Sequence, residues 1–172
     1  MLVSWLNKLL QRRRNNLYNN TLSVFDVANW FLKKEPMTHK KLQKLCYYAQ
    51  AWNQALNGKN MFNGDFEAWV HGPVNRTLWD RLKYFGYNNV PSNAFSSCAK
   101  KLSEQDESML ESVWNTYGRF SGFDLERLTH QERPWIEARN GVGEFEPTNN
   151  TISPATMREY YNSLISGEGV GE

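Results

Sequence analysis

The sequence predicts a mainly α protein, a compact helical domain carrying one small β-hairpin. Three observations lead there. Apolar residues recur at helical spacing in several segments, each opened by a Ser or Thr cap and closed by Gly or Pro. One intervening stretch, Phe66 to Val70, alternates as a strand does. A chain of 172 residues is also long enough to bury one core and too short to need two.

In chain order, Leu2, Val3, Trp5, Leu6, Leu9 and Leu10 have helical spacing and lead into the cationic end Arg12, Arg13, Arg14, which suits a helix C-terminus. The Asn-rich stretch Asn15 to Asn20 reads as a connection. Ser23 with Asp26 opens the next helix, which buries Phe25, Ala28 and Phe31/Leu32 and stops before Pro36. Thr38 caps the most strongly patterned helix, with Leu42, Leu45, Cys46, Ala49, Trp52 and Leu56 facing the core and Gly58 ending it. Only its Lys40/Lys44 strip reads as fully wet, which makes this helix the centre of the fold.

Asn63-Gly64 is a hairpin-turn signal, so the hairpin is expected across Met61 to Val70. His71-Gly72-Pro73 reads as a turn, with Pro73 at the first turn of a helix marked by Val74, Leu78, Leu82 and Phe85. Asn88 to Ser97 reads as a surface loop. Ser103 with Asp106 opens a further helix that stops at Gly118, a short helix covers Asp124 to Leu128, and Ser153-Pro154 starts the last one. The organisation is therefore residues 1–20 as an amphipathic helix and connection, 21–165 as the helical domain, and 166–172 as a flexible tail.

Net charge is only +2 but unevenly spread, because the first 45 residues hold nine Lys or Arg against Asp26 and Glu35. Such a segment suits an acidic protein surface or a nucleic-acid backbone. Nucleic acid ranks second as a partner, since no aromatic residues interleave with those charges and no recognition-helix motif stands out. Cys46 and Cys98 are far apart and form no CxxC pair, as expected of reduced thiols in a cytoplasmic protein. No span approaches membrane length, so a membrane role is not expected.

Catalysis has little support. His71, Glu67, His130, Glu132 and Asp124 can supply an acid and a base, yet no nucleophile elbow, phosphate loop, zincin motif or metal-spaced ligand set accompanies them. The chain is expected to be no enzyme, with no cofactor and no metal. Seven Trp, eight Tyr and nine Phe, by contrast, form an aromatic load of the kind that anchors interfaces as well as cores. The candidate contacts are Trp69, Pro73 and Trp135 beside rigid turns, His71, and Asn75, Arg76 and Arg81 on the polar side of the following helix. Trp69 and Trp135 have a competing reading as core residues, and for Trp69 that reading is the favoured one. Arg12, Arg13 and Arg14 form the rival surface, with the apolar face of the first helix laid in a partner's groove.

Met37-Thr38 through Tyr47-Tyr48-Ala49-Gln50-Ala51-Trp52, Phe66 to Val74, His130 with Pro134-Trp135, and Met157 with Tyr160-Tyr161 follow a recognisable order and spacing. In these the chain resembles the SocA-like antitoxin family, or Panacea domain, which includes phage-associated GepA-like proteins. The resemblance runs from about Leu22 to Leu164, and its most specific piece is Ala68-Trp69 leading into Gly72-Pro73-Val74. It implies a helical domain with a small β element, no cofactor, and neutralisation of a co-encoded toxin protein by direct binding. A cellular protease is a further implied partner, through the adaptor role of at least one branch; a phage or prophage regulator is the alternative, and an enzyme of unknown chemistry ranks last. Two departures stand out: position 71 is His where Tyr is common, and no separate N-terminal DNA-reading module is evident. The second lowers the expectation of promoter binding.

Overall fold

The structure, a computed structural model, describes residues 21–167. The expected first helix with Arg12, Arg13 and Arg14, and all of the tail beyond Gly167, lie outside the described residues. Within them the chain runs β1 (Leu22–Ser23), α1 (Val24–Lys34), β2 (Met37–Thr38), α2 (His39–Asn57), β3 (Phe62–Asn63), β4 (Glu67–Trp69), β5 (Gly72–Val74) and α3 (Arg76–Leu82). It continues through β6 (Asn89–Val90), α4 (Glu104–Tyr117), α5 (Gly122–Thr129), α6 (Arg133–Arg139) and α7 (Pro154–Ser166). The protein is mainly α, with only short strand pairs.

Local chemistry sets most boundaries. Ser23 and Asp26 form a reciprocal capping box at α1, and Ser121 with Asp124 repeats it at α5. Thr38 accepts from the Lys41 amide to open α2, and Gly58 closes that helix in the left-handed region at φ 67°. Ser103 and Ser153 cap α4 and α7 in the same way, and α7 extends to Ser166, one residue into the expected tail.

α2 is the centre of the fold. Leu42, Leu45, Cys46, Tyr47, Tyr48, Ala49 and Ala51 have no exposed surface, and α1, α4, α5 and α7 pack around them. Two details of this helix depart from expectation. Leu56 is 57% exposed, because the inward side of the last turn is taken by Asn53 and Gln54, which bind the Lys59 carbonyl and Asn60. Trp52 is half-buried and donates its indole N–H to the Tyr117 hydroxyl at 2.9 Å.

The hairpin is one step further along than the Asn63-Gly64 signal suggests. Phe62–Asn63 is extended and pairs in parallel with Leu22–Ser23. The buried amide of Gln50 accepts from the amides of Met61 and Phe62 and donates to the carbonyls of Phe62 and Gly64, which holds this stretch open instead of letting it reverse. The reversal occurs at Val70-His71, where β4 meets β5 in the antiparallel register Glu67↔Val74, Ala68↔Pro73, Trp69↔Gly72. Pro73 is thus a strand residue, not the first turn of a helix. In the expected surface loop, Asn89–Val90 pairs with Met37–Thr38, and Val90 and Phe95 enter the core.

Candidate partner-binding surface

The β4–β5 hairpin is fastened from beneath by long buried side chains. Lys44 of α2 donates its ammonium to the Pro73 carbonyl at 3.1 Å, and Trp135 of α6 donates its indole N–H to the Trp69 carbonyl at 3.0 Å. Arg139 donates to the Ala68 carbonyl at 2.9 Å and also to the carbonyls of Gly143 and Glu146, so one guanidinium ties the hairpin to the 143–146 loop. Gln43 exchanges two hydrogen bonds with the backbone of Asn75. On the outer edge of β4, the Ala68 amide donates to the Asn150 carbonyl at 2.8 Å.

Gly72 is required at the end of the turn. Its φ is 91°, and a Cβ there would lie 2.6 Å from Lys44 Cε and 2.9 Å from Thr129 Oγ1. The sequence pattern places Lys44 on a wet strip, but it is 1% exposed because β5 lies across that face of α2. Burial pushes its amine down to about 7, with the carboxylate of Glu126 acting in the opposite sense.

Three of the predicted contact residues converge. Trp69, His71 and Arg76 line an open depression of about 540 Å³ together with Phe145 and residues 147–149. Arg76 stacks over the Trp69 ring at 5.2 Å, and both reach Glu67, Trp69 through its indole N–H at 2.6 Å. His71, at the tip, is exposed and places Nδ1 2.9 Å from a Glu126 oxygen, while Lys40 pairs with the other oxygen of that carboxylate. Burial raises the Glu126 carboxyl, but hydrogen bonds from Lys40 and His71 outweigh it and hold the group below its ordinary value.

The other candidates lie elsewhere. Pro73 is buried on the strand, and Asn75 is buried at 2% exposure as the N-cap of α3, accepting from the Leu78 amide, so neither offers an exposed contact. Trp135 is 6% exposed beneath the hairpin with His130 stacked on it at 4.0 Å, which settles it as a core residue. Arg81 is exposed but lies over the Phe25 ring of α1, apart from Arg76.

Of the groups considered for acid–base work, the carboxylates are each engaged separately. Glu132 is 5% exposed and accepts from the hydroxyls of Tyr48 and Tyr161, and burial raises its carboxyl to about 7. Asp124 is committed to its capping box, and Glu67 to Trp69 and Arg76. Among the described residues, no three His, Cys, Asp or Glu side chains gather as a metal site.

The pattern of single segments did not indicate Phe145, Phe123 or Tyr87, which are 83%, 65% and 90% exposed around the hairpin. The one available signal was an aromatic residue in an otherwise polar loop, as at Phe145.

The hairpin is thus clamped onto a helical core, with exposed rings beside it. The family described as antitoxin SocA-like, Panacea domain, matches residues 42–136, which span α2 through the start of α6 and contain the entire hairpin. The chain belongs to this antitoxin family. It is 31% identical over 132 residues to the antitoxin SocA of Caulobacter vibrioides (strain NA1000 / CB15N), an alignment covering 68% of this chain and 70% of that protein. No solved structure matches the chain. Among the described residues, no helix is long and apolar enough to cross a membrane.

Proposed function

We propose that this protein neutralises a co-encoded toxin by forming a stoichiometric complex with it, without catalysis, and that the β4–β5 hairpin is the centre of the contact face. The observation that carries this reading is the gathering of Trp69 and His71, on a hairpin whose backbone is already fixed, with Arg76 of α3 and the exposed Phe145. A surface ordered beforehand loses little conformational entropy on binding. Aromatic and arginine side chains are the residue types that concentrate binding energy, and the planar fork of Arg76 suits a partner's carboxylate.

The test is co-expression with the product of the adjacent gene, followed by calorimetry on the purified pair. Arg76→Glu combined with Phe145→Ala is expected to weaken binding by roughly 30-fold or more, the hot-spot range, and to lose growth rescue, with circular dichroism unchanged. Arg81→Glu is expected to have the smaller effect, since that side chain sits apart from the depression. Full protection by the Arg76/Phe145 variant, together with failure of a protein lacking residues 1–14, would move the contact face to Arg12, Arg13 and Arg14. If no neighbouring product binds, the neutralisation reading falls.

A further inference from the structure

A cleft that shares no lining residue with the hairpin depression lies between α1, the 96–102 loop and the amino half of α4. It has two lobes, of about 310 and 500 Å³, joined through Trp30, Lys33 and Glu107, which line both. Four lysines stand in it: Lys33 and Lys34 at the carboxyl end of α1, and Lys100 and Lys101, which folding brings in from the loop. Three carboxylates face them, but two are already spent. Asp26 is 2% exposed and accepts from the Ser23 amide and hydroxyl and from the Lys100 amide, while Glu111 pairs with Lys34 at 2.6 Å. Among the described residues, Lys33, Lys100 and Lys101 pair with no carboxylate, and Glu107 is the one acid left to oppose them.

The Lys100 ammonium donates to the Thr21 carbonyl at 3.1 Å, so the first 20 residues join the domain at this cleft. They contain Lys8, Arg12, Arg13 and Arg14 and no Asp or Glu. Arg14 is seven residues from Thr21, at most about 25 Å of extended chain. Uncompensated positive charge therefore lies on both sides of Thr21. Between the cations stands Trp30, half-buried, with an edge-to-face contact to Phe31 at 5.4 Å and the Lys34 ammonium 4.6 Å from its centroid. Beside it, Asn29 is 5% exposed, and its Oδ1 has no hydrogen-bond partner among the described residues.

We infer that this cleft and the basic first segment hold a single-stranded nucleic acid irrespective of its sequence, with phosphates on Lys33, Lys100, Lys101 and the arginines and a base against Trp30. The inference stands apart from the toxin reading and needs no toxin. Cations without carboxylate partners are the ones that release counterions when phosphates arrive, so charge selects a polyanion. The ring decides which polyanion. A glutamate-rich segment offers no flat face to Trp30, whereas a base offers one, together with N–H donors that Asn29 Oδ1 can accept.

The test is fluorescence anisotropy of a labelled 20-residue oligothymidylate, titrated with the full chain over a salt series. Binding is expected at 50 mM salt, with the logarithm of affinity falling against that of salt at a slope of about −4, as for about six phosphate contacts on a single strand. Lys33→Gln with Lys100→Gln and Lys101→Gln changes only exposed side chains, so the fold should persist. This variant should bind at least about tenfold more weakly, with a slope shallower by about 2. Glu107→Gln should tighten binding by about two- to threefold, because it removes the opposing charge. Lys59→Gln with Arg119→Gln removes exposed cations that do not line the cleft and should change affinity by less than about twofold. In NMR of the complex, the Trp30 indole resonance should shift. No binding at 50 mM salt, a triple variant no weaker than the Lys59/Arg119 protein, or an unmoved Trp30 resonance would each overturn the inference. So would a 20-residue polyglutamate bound as tightly as the oligothymidylate, which would assign the cleft to an acidic protein surface instead.

Discussion

The Lys44 ammonium and the Pro73 carbonyl oxygen meet at 3.1 Å in the interior, with Lys44 only 1% exposed. An amine pushed down to about 7 by burial makes stability depend on pH. Between pH 7 and 10.5 the unfolded chain binds more protons at this position than the folded one, so stability should rise across that window. The gain should be a few kcal/mol, and Lys44→Met should flatten the rise. Chemical denaturation at pH 7, 8, 9 and 10 reads this directly; parallel curves for wild type and variant would show a solvated amine.

Glu132 acts in the opposite sense. Its carboxyl, raised to about 7 by burial, stays protonated in the fold where the unfolded chain has released its proton, so stability should fall as pH rises from 4.5 to 7. Glu132→Gln keeps an acceptor for Tyr161 and cannot ionise. It should be more stable than wild type at pH 7.5, by on the order of 1–3 kcal/mol, and lack the decline. With Lys44, this places the stability minimum near neutral pH, which thermal scans between pH 5 and 9 would locate.

Gly72→Ala should destabilise the protein by roughly 2–4 kcal/mol, since the backbone sits at φ 91° and the new methyl group would meet Lys44 and Thr129. The measurement is the denaturation midpoint. A change within about 0.5 kcal/mol would mean that the turn relaxes freely and that the hairpin is not clamped.

Trp135→Phe retains a ring against His130 but removes the donor to the Trp69 carbonyl. A loss of about 1–3 kcal/mol is expected for the unpaired carbonyl. Toxin affinity should fall as well although residue 135 is buried, because Trp69 is held through that bond. Unaltered affinity at reduced stability would separate the two roles.

Helix boundaries were legible because their signals are local: the Ser23/Asp26 box, Thr38, Gly58 and Ser153-Pro154 each satisfy backbone groups within a few residues. Lys44 was misread for the opposite reason. Periodicity assigns it to a polar strip, but only the tertiary placement of β5 across that strip buries it. The same holds for the Asn63-Gly64 turn signal, overridden by the Gln50 amide from another element. Trp69 and His71 flank the actual hairpin reversal, which the sequence pattern had set at Asn63-Gly64. Asn75 and Trp135 were drawn inward by capping and by a backbone partner, and Phe145, Phe123 and Tyr87 come from segments that only folding brings alongside.

The hairpin's hydrogen bonds from below run from Lys44, Trp135 and Arg139 to backbone carbonyls, which any residue supplies. Of the outward groups, the neighbouring ring at 145 carries none of that fastening, whereas His71 adds a contact to Glu126 and Arg76, the first residue of α3, one to Glu67 of β4. Under the proposed reading, substitution at 145 alters what the surface recognises at small cost to the scaffold, and at 71 or 76 at the cost of one exposed ion pair each. Such decoupling makes the domain evolvable: it can follow a changing adversary, or be re-targeted in the laboratory by a library confined to a few outward codons.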